Sequence, residues 1–424
     1  MDSHSLAIDR FFVDLVINAL LDRSVLVDAI LCVYFRNIHR WLPVIPEQKF
    51  RARISQIHSS RSAELALLLL AMYLLTENEW GNTRIQREGQ QHLYQQCSCL
   101  VSFLLLVRGP SLELVQAGLL LILYELGSGS LEAAFLRVAA CARLAYSLGL
   151  HVDESFVDDY SGAWCHAEER RRVWTAVYMM DRLVYQIMPD IVAPHAVGEP
   201  VDDFPLPIGD QESEHKPNKT FLSFKTSLNI PLSYYTREIQ AVRILGNVQM
   251  LQNLVRLDSF QQHFHLIDSN LMQLMQQLFE ESAGWEAHLG AIAIALMATL
   301  TLHRSQVGYG APSSIAQHPD ILHRAPLSMA AVSSVINMVR DICLQLNALE
   351  AIEEISRVPL PAVMCIGETA LTAIWLKQAD PDESHVDGRA FSLALERVRR
   401  YWILADYYMK RLVWNEAEHL DRGM

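Results

Sequence analysis

Apolar residues recur along this chain at the three-to-four spacing of a helix almost from end to end, while period-two alternation bounded by hairpin turns is nearly absent. The pattern predicts an all-α protein. A first helical block runs from about Asp28 to Phe50 and ends in RWLPVIPEQKF, where Pro43 and Pro46 interrupt it. Apolar helices follow at about Ala63–Thr76, His92–Val107 and Leu112–Leu126. The next segment, SLEAAFLRVAACARLAYSLGLH, carries alanine on its apolar side (Ala133, Ala134, Ala140, Ala145), which lets neighbouring axes approach closely. It ends at Gly149, placed to take the left-handed position after a helix. A proline-rich polar stretch, 188–221, reads as a long connection. Helices resume near Ser233–Leu245, Val248–Leu278, Trp285–Ser305, Ser328–Leu349, Val358–Lys377 and Gly388–Val413. The chain therefore reads as a lead-in (1–27), a motif-bearing part (28–207), a loop (208–226) and a second helical part (227–424).

One stretch departs from simple amphipathicity. AEERRRVWTAVYMMDRLVYQ, residues 167–186, sets five charges in a row against an apolar run and then places an Asp-Arg pair inside that run. On a helix starting near Ala167, Val173, Val177, Met180, Val184 and Ile187 form one apolar stripe. Glu168 and Glu169 then fall in the first turn, where carboxylates suit the helix dipole, and Glu168 reaches Arg172 four positions on. Trp174 and Asp181 are expected to be buried against the Ala142–His151 segment, with Asp181 reaching arginine or backbone donors on a neighbouring helix, Arg143 or His151 among them, and Arg170 and Arg171 are expected to be more exposed. Arg172, Trp174, Asp181, Arg182 and His151 are thus the candidate structural or regulatory residues, read first as an arrangement that fixes helix packing. The functional alternative is that they line an effector pocket between the two helices.

Charge narrows the function. With 48 acidic against 35 basic residues the formal net charge is −13, and beyond Arg170–Arg172 no basic cluster stands out, so direct nucleic-acid binding by this chain is not expected. Seven cysteines without framework spacing read as reduced thiols of an intracellular protein. The amino terminus lacks the basic and small-residue signals of a secretory leader. The apolar runs Leu65–Leu75 and Leu289–Leu302 fall short of the roughly 18 to 20 residues that span a bilayer, and no membrane association is expected.

Chemistry-bearing constellations are sparse. WCHAEE, residues 164–169, has the His-x-Glu spacing of a zinc deaminase but no later P-C-x-x-C. His263 and His265 lie about 200° apart on a helix and cannot chelate one ion. The phosphate-loop, dinucleotide and serine-elbow motifs are absent from the sequence, so no catalytic residue, cofactor or metal is expected.

Several ordered motifs resemble one family. ARLAYSLGLH (142–151), EERRRVWTAVYMMDR (168–182) and VDDFPLP (201–207) resemble, in order, the hallmark segments of the fungal-specific transcription factor domain, the regulatory middle region of fungal zinc-cluster transcription factors. YFRNIHRWLPVIPEQKF (34–50) is similar to its opening, PSLELVQAGLLLILYELGSGSLEAAF (110–135) to its next helical pair, and LTLHRSQ (300–306) and ERVRRYWILADYYMKRL (396–412) to its looser carboxy-terminal pattern. Two positions depart: Thr175 stands where the family has a second tryptophan, and Met188-Pro189-Asp190 where it has Gly-Arg-Pro. The resemblance implies an all-α regulatory domain, nuclear localisation and a role in a metabolic or secondary-metabolite pathway. It also implies other transcription factors, co-regulators or a second copy as partners, and a small-molecule effector. The family's two-zinc cluster requires C-x-x-C spacing, which occurs nowhere here, so zinc and DNA binding are not expected of this chain. The competing expectation is a repurposed helical fold that acts as an enzyme or binds small molecules in a biosynthetic cluster.

Overall fold

The computed structural model describes residues 3–77, 84–152, 161–188, 193–209, 222–252, 260–281, 288–307, 319–379 and 388–422. The chain divides into two compact units, Met1–Lys225 and Thr226–Met424. Among the described residues every regular element is a helix, and extended pairing is limited to an isolated antiparallel bridge between Pro205 and Ser223.

Unit 1 holds α1 (Ser3–Asp22), α2 (Val27–Asn37), α3 (Glu47–Ile54), α4 (Ala63–Thr76), α5 (Arg84–Arg108), α6 (Leu112–Ser128), α7 (Leu131–Ser147) and α8 (Ser161–Ile187). α4 and α6 are apolar all round, the composition of a helix enclosed by others, and they pack on each other in the centre. Each starts at a serine whose hydroxyl accepts from the third amide on, Ser62 from Leu65 at 3.2 Å and Ser111 from Leu114 at 3.3 Å. α1, α2 and α5 pack around α4, and α7 and α8 pack on α6. The stretch read as a lead-in is mostly α1, whose Phe12, Val13, Val16 and Leu20 are buried. The block from Asp28 to Phe50 is interrupted at Pro43 and Pro46 as expected, and Leu42, Val44 and Ile45 of the link are themselves core.

α7 ends as a Schellman motif. Gly149 takes φ +67°, its amide donates to Tyr146 at 3.0 Å and the Leu150 amide to Ala145 at 3.0 Å. This stop delivers His151 beside the body of α8.

Unit 2 holds α9 (Tyr234–Gln252), α10 (Phe260–Glu281), α11 (Leu289–Arg304), α12 (Pro319–Ala348), the short α13 (Ile352–Ile355), α14 (Leu360–Ala379), α15 (Arg389–Val398) and α16 (Leu404–Arg422). α11, apolar on every side, packs against α9, α10, α12 and α14. Where α9 crosses α11, Gly290 faces Glu238 so closely that a β-carbon would lie 2.1 Å from its Oε1. Two helical stretches, Pro326–Ala348 and Leu360–Lys377, reach the length and hydropathy of a bilayer span, and most of the second is buried within the fold.

Candidate functional site

α8 begins at Ser161, six residues before the expected start, so the run 168–172 lies in the body of the helix rather than its first turn. From Arg171 to Val184 every residue is buried, charged positions included, and so is Ile187, the last member of the expected stripe. A buried charge persists only with partners. Here many of those partners are main-chain groups of the segment 193–209.

Two clips form. At one, Glu168 Oε1 accepts from Arg172 Nε at 2.9 Å and from the Ile208 amide at 2.9 Å, while Arg172 Nη2 donates to the Ile208 carbonyl at 2.8 Å. The helix thus grips both polar groups of one residue. At the other, three turns along, Asp181 accepts from the amides of Ala196 and Val197, each at 3.1 Å, and Arg182 donates to the Val197 carbonyl at 3.1 Å. Arg182 also meets Asp181 at 2.5 Å and Glu199 at 2.7 Å, and its guanidinium lies 4.5 Å from the Tyr178 ring centroid. Tyr178 completes the cluster by donating to Glu199 at 2.8 Å.

The electrostatics follow from this burial. Desolvation raises the Asp181 carboxyl above its ordinary range against the pull of Arg182 and the two amides. Desolvation works against the Arg182 charge, but Tyr178, Glu199 and Asp181 outweigh it and hold the guanidinium protonated. The pair ties the segment 193–209 to α8 through main-chain groups, and a buried pair of this kind is weak evidence of stability.

Trp174 and Asp181 are 2% and 4% exposed. Trp174 packs edge-on to Tyr146 at 5.1 Å and lies 5.9 Å from the His151 ring, so those three rings join α7's end to α8. Two expectations are corrected. Arg171 is 1% exposed, not exposed, because it lies in the third turn; it pairs with Glu168 and lies 5.5 Å from the Trp164 ring centroid. Asp181 pairs with neither His151 nor Arg143, since Arg182 and two amides occupy its oxygens. Arg170 is half-buried and donates to the Leu148 carbonyl at 2.9 Å, capping the carboxy end of α7.

Beside the Asp181 clip a cavity of about 220 Å³ opens between α7, α8 and residues 194–196. Its walls include Val138, Val184 and Tyr185, with Arg143, Asp181 and His195 as the polar members. Burial, aided by Arg182, lowers the His195 pKa to about 4, so the ring is neutral near pH 7.

Unit 2 has polar nodes that sequence reasoning missed. Arg237, fully buried, donates to the carbonyls of Leu228 at 2.9 Å and Ile230 at 2.8 Å, to Gln240 at 2.7 Å, and to Glu281. His303 sits between Asp268 and Ser328, each at 3.1 Å. That line has the residue types of a hydrolytic triad, yet Ser328 is 1% exposed, which makes it a buried tie rather than a nucleophile. Among the described residues no group of three His, Cys, Asp or Glu is placed to hold a metal. Burial pushes the Cys97, Cys141 and Cys365 thiols up to about 12, so none is a ready thiolate.

Comparison with known proteins then bears on this arrangement. The family model described as fungal specific transcription factor domain matches residues 31–298. Transcription factor BOA15 of Botryotinia fuckeliana is 31% identical over 140 residues, 33% of this chain and 76% of that protein. Transcription factor tazR of Aspergillus terreus is 29% identical over 157 residues, 36% of this chain but only 24% of that protein. No solved structure matches. The matched span contains both main-chain clips, the cavity and the start of unit 2, and on it this chain belongs to the fungal-specific transcription factor domain family.

Proposed function

We propose that this chain is the regulatory part of a transcription control system for a metabolic or secondary-metabolite pathway. The observation that carries the reading is the family match across residues 31–298, more than half of the chain. Two relatives named as transcription factors support it. The charged residues of α8 support it from chemistry: they hold main-chain groups from buried positions, a use that suits transmission of shape better than turnover. A formal charge of −13 opposes direct contact with DNA by these residues, so they reach chromatin through a separate segment or partner. Other transcription factors, co-regulators or a second copy are the partners on this reading, and the nucleus is the compartment.

Deleting the gene and profiling transcripts and metabolites together tests it. Coordinated loss or gain of a set of transcripts is the expected result. Unchanged transcripts with one metabolite missing would refute regulation in favour of an enzyme or a sequestering protein.

A further inference from the structure

We propose that the outer face of α5 is the surface on which a second copy of this chain pairs, helix to helix and in parallel. The inner face of α5 is ordinary core: Leu93, Cys97, Val101 and Leu104 are buried. The outer face carries His92, Gln96, Cys99, Phe103 and Leu106 at intervals of four, three, four and three residues, and every one of them is exposed. That is the spacing of a seam between two helices. At 1.5 Å per residue it runs about 21 Å.

α1 widens the seam. It lies antiparallel beside α5, with Arg108 donating to the Ser5 carbonyl at 2.8 Å and the Phe12 ring stacked on Phe103 at 6.0 Å. Phe11 meets Phe12 edge-on at 5.9 Å, so a row of rings joins the two helices. Phe11 and, one turn on, Leu15 remain 58% and 40% exposed, while Leu106 is 86% exposed and Phe103 and Val107 are near half. With about 200 Å² for each whole side chain, these five leave roughly 500 Å² of apolar surface in water. Interfaces are about 56–58% non-polar, so such a core implies roughly 900 Å² per copy, which meets the ~800 Å² of a stable pair.

Chemistry names the occupant. Between Glu88 and Arg108 α5 has no Asp, Glu, Lys or Arg, in a chain where 20% of residues are charged. An acidic or basic partner would find nothing there to answer its charge. The polar members complement themselves instead: the Gln95 and Gln96 amides both donate and accept, as does the Ser102 hydroxyl, so each can meet its own copy. Two chains of net charge −13 repel, and an uncharged face is where they meet at least electrostatic cost. In a parallel pair about a two-fold axis, Phe103 and Leu106 face their equivalents and the glutamines face theirs. An antiparallel pair centred on Cys99 would set Phe103 against Gln95.

This inference deepens the regulatory reading by giving a second copy its surface, but its test is made on purified protein, so either can fail without the other. Sedimentation equilibrium of the full chain should give a mass twice its 48.1 kDa. Leu106→Lys withdraws two leucines from the pair and should raise the dissociation constant at least about a hundredfold. Being so exposed, it should leave the melting temperature of the dilute monomer unchanged. Leu266→Lys, at a 61% exposed leucine of α10, should leave the dimer intact. With the exposed Cys32 and Cys165 changed to serine, a short bismaleimide should join two chains through Cys99, and Cys99→Ser should abolish that product. Added salt should not weaken the pair, because it screens only repulsion. A monomer at about 100 μM overturns the proposal, since even micromolar pairing is complete there. So does a dimer that Leu106→Lys leaves intact, that Leu266→Lys breaks equally, or that salt dissociates.

Discussion

Replacing Asp181 by alanine separates a positioning carboxylate from a dispensable one. The substitution removes the acceptor for two amides, Ala196 and Val197, and the partner nearest to Arg182, whose side chain is 1% exposed. Arg182 keeps Glu199 and the Val197 carbonyl, so its charge is not wholly abandoned. Breaking a buried pair from one side costs about 3–5 kcal/mol, and the surviving contacts place this case toward the lower end. For a unit of this size that is a fall in melting temperature of roughly 6 to 20 °C. Thermal denaturation gives the global figure. Hydrogen exchange gives the local one, because the Ala196 and Val197 amides should lose protection before those of α6. A variant that melts within about 1 °C of wild type with both amides still protected would refute the clip as the reason for the buried charges.

Arg171→Ala should cost about 2–4 kcal/mol in urea denaturation by leaving Glu168 half-partnered in the interior, whereas Arg170→Ala, which loses one capping bond, should cost about 1 or less. Glu238, buried in α9, has its pKa raised well above 4.5 by desolvation, so its contribution is full below the unfolded value and is lost as pH rises through the folded one. Glu238→Gln should therefore flatten the decline of stability above about pH 4.5 in a pH series of melts; an unchanged profile counts against a neutral buried acid. Gly290→Ala should destabilise by about 2 kcal/mol through collision with Glu238, and Glu238→Ala should relieve part of that in a double-mutant cycle, with additivity as the refuting result. Gly149→Ala forces a side chain into φ +67° and should cost about 1 kcal/mol by denaturant titration.

What could be read from sequence was whatever side-chain periodicity encodes. α4 and α6 were legible because an unbroken apolar helix must be enclosed, and Gly149 because few other residues suit a left-handed stop. The start of α8 was not, because SGAWCH carries neither a capping box nor a proline at a first helical position. Asp181 could be recognised as needing partners, but those are main-chain groups of a segment fifteen and sixteen residues onward, and amides carry no signature in sequence. Arg237 was hidden for the same reason, since two of its acceptors are carbonyls. The single helix read over Gly388–Val413 is two: RRYWI contains neither glycine nor proline, and the break around Trp402 coincides with its indole donating to the Val358 carbonyl at 2.8 Å.

Because α8 grips the segment 193–209 by its peptide groups, attachment and wall chemistry are separable traits. Pro194 and His195 line the cavity but supply none of the anchoring bonds, which belong to the main chain of Ala196, Val197 and Ile208. Exchange of His195 for another residue alters the cavity wall without untying the segment, whereas proline at 196, 197 or 208 removes an amide and loosens the strap. A chain built this way can vary the lining of the cavity on a fixed frame, much as a lock cylinder is re-pinned without changing its housing.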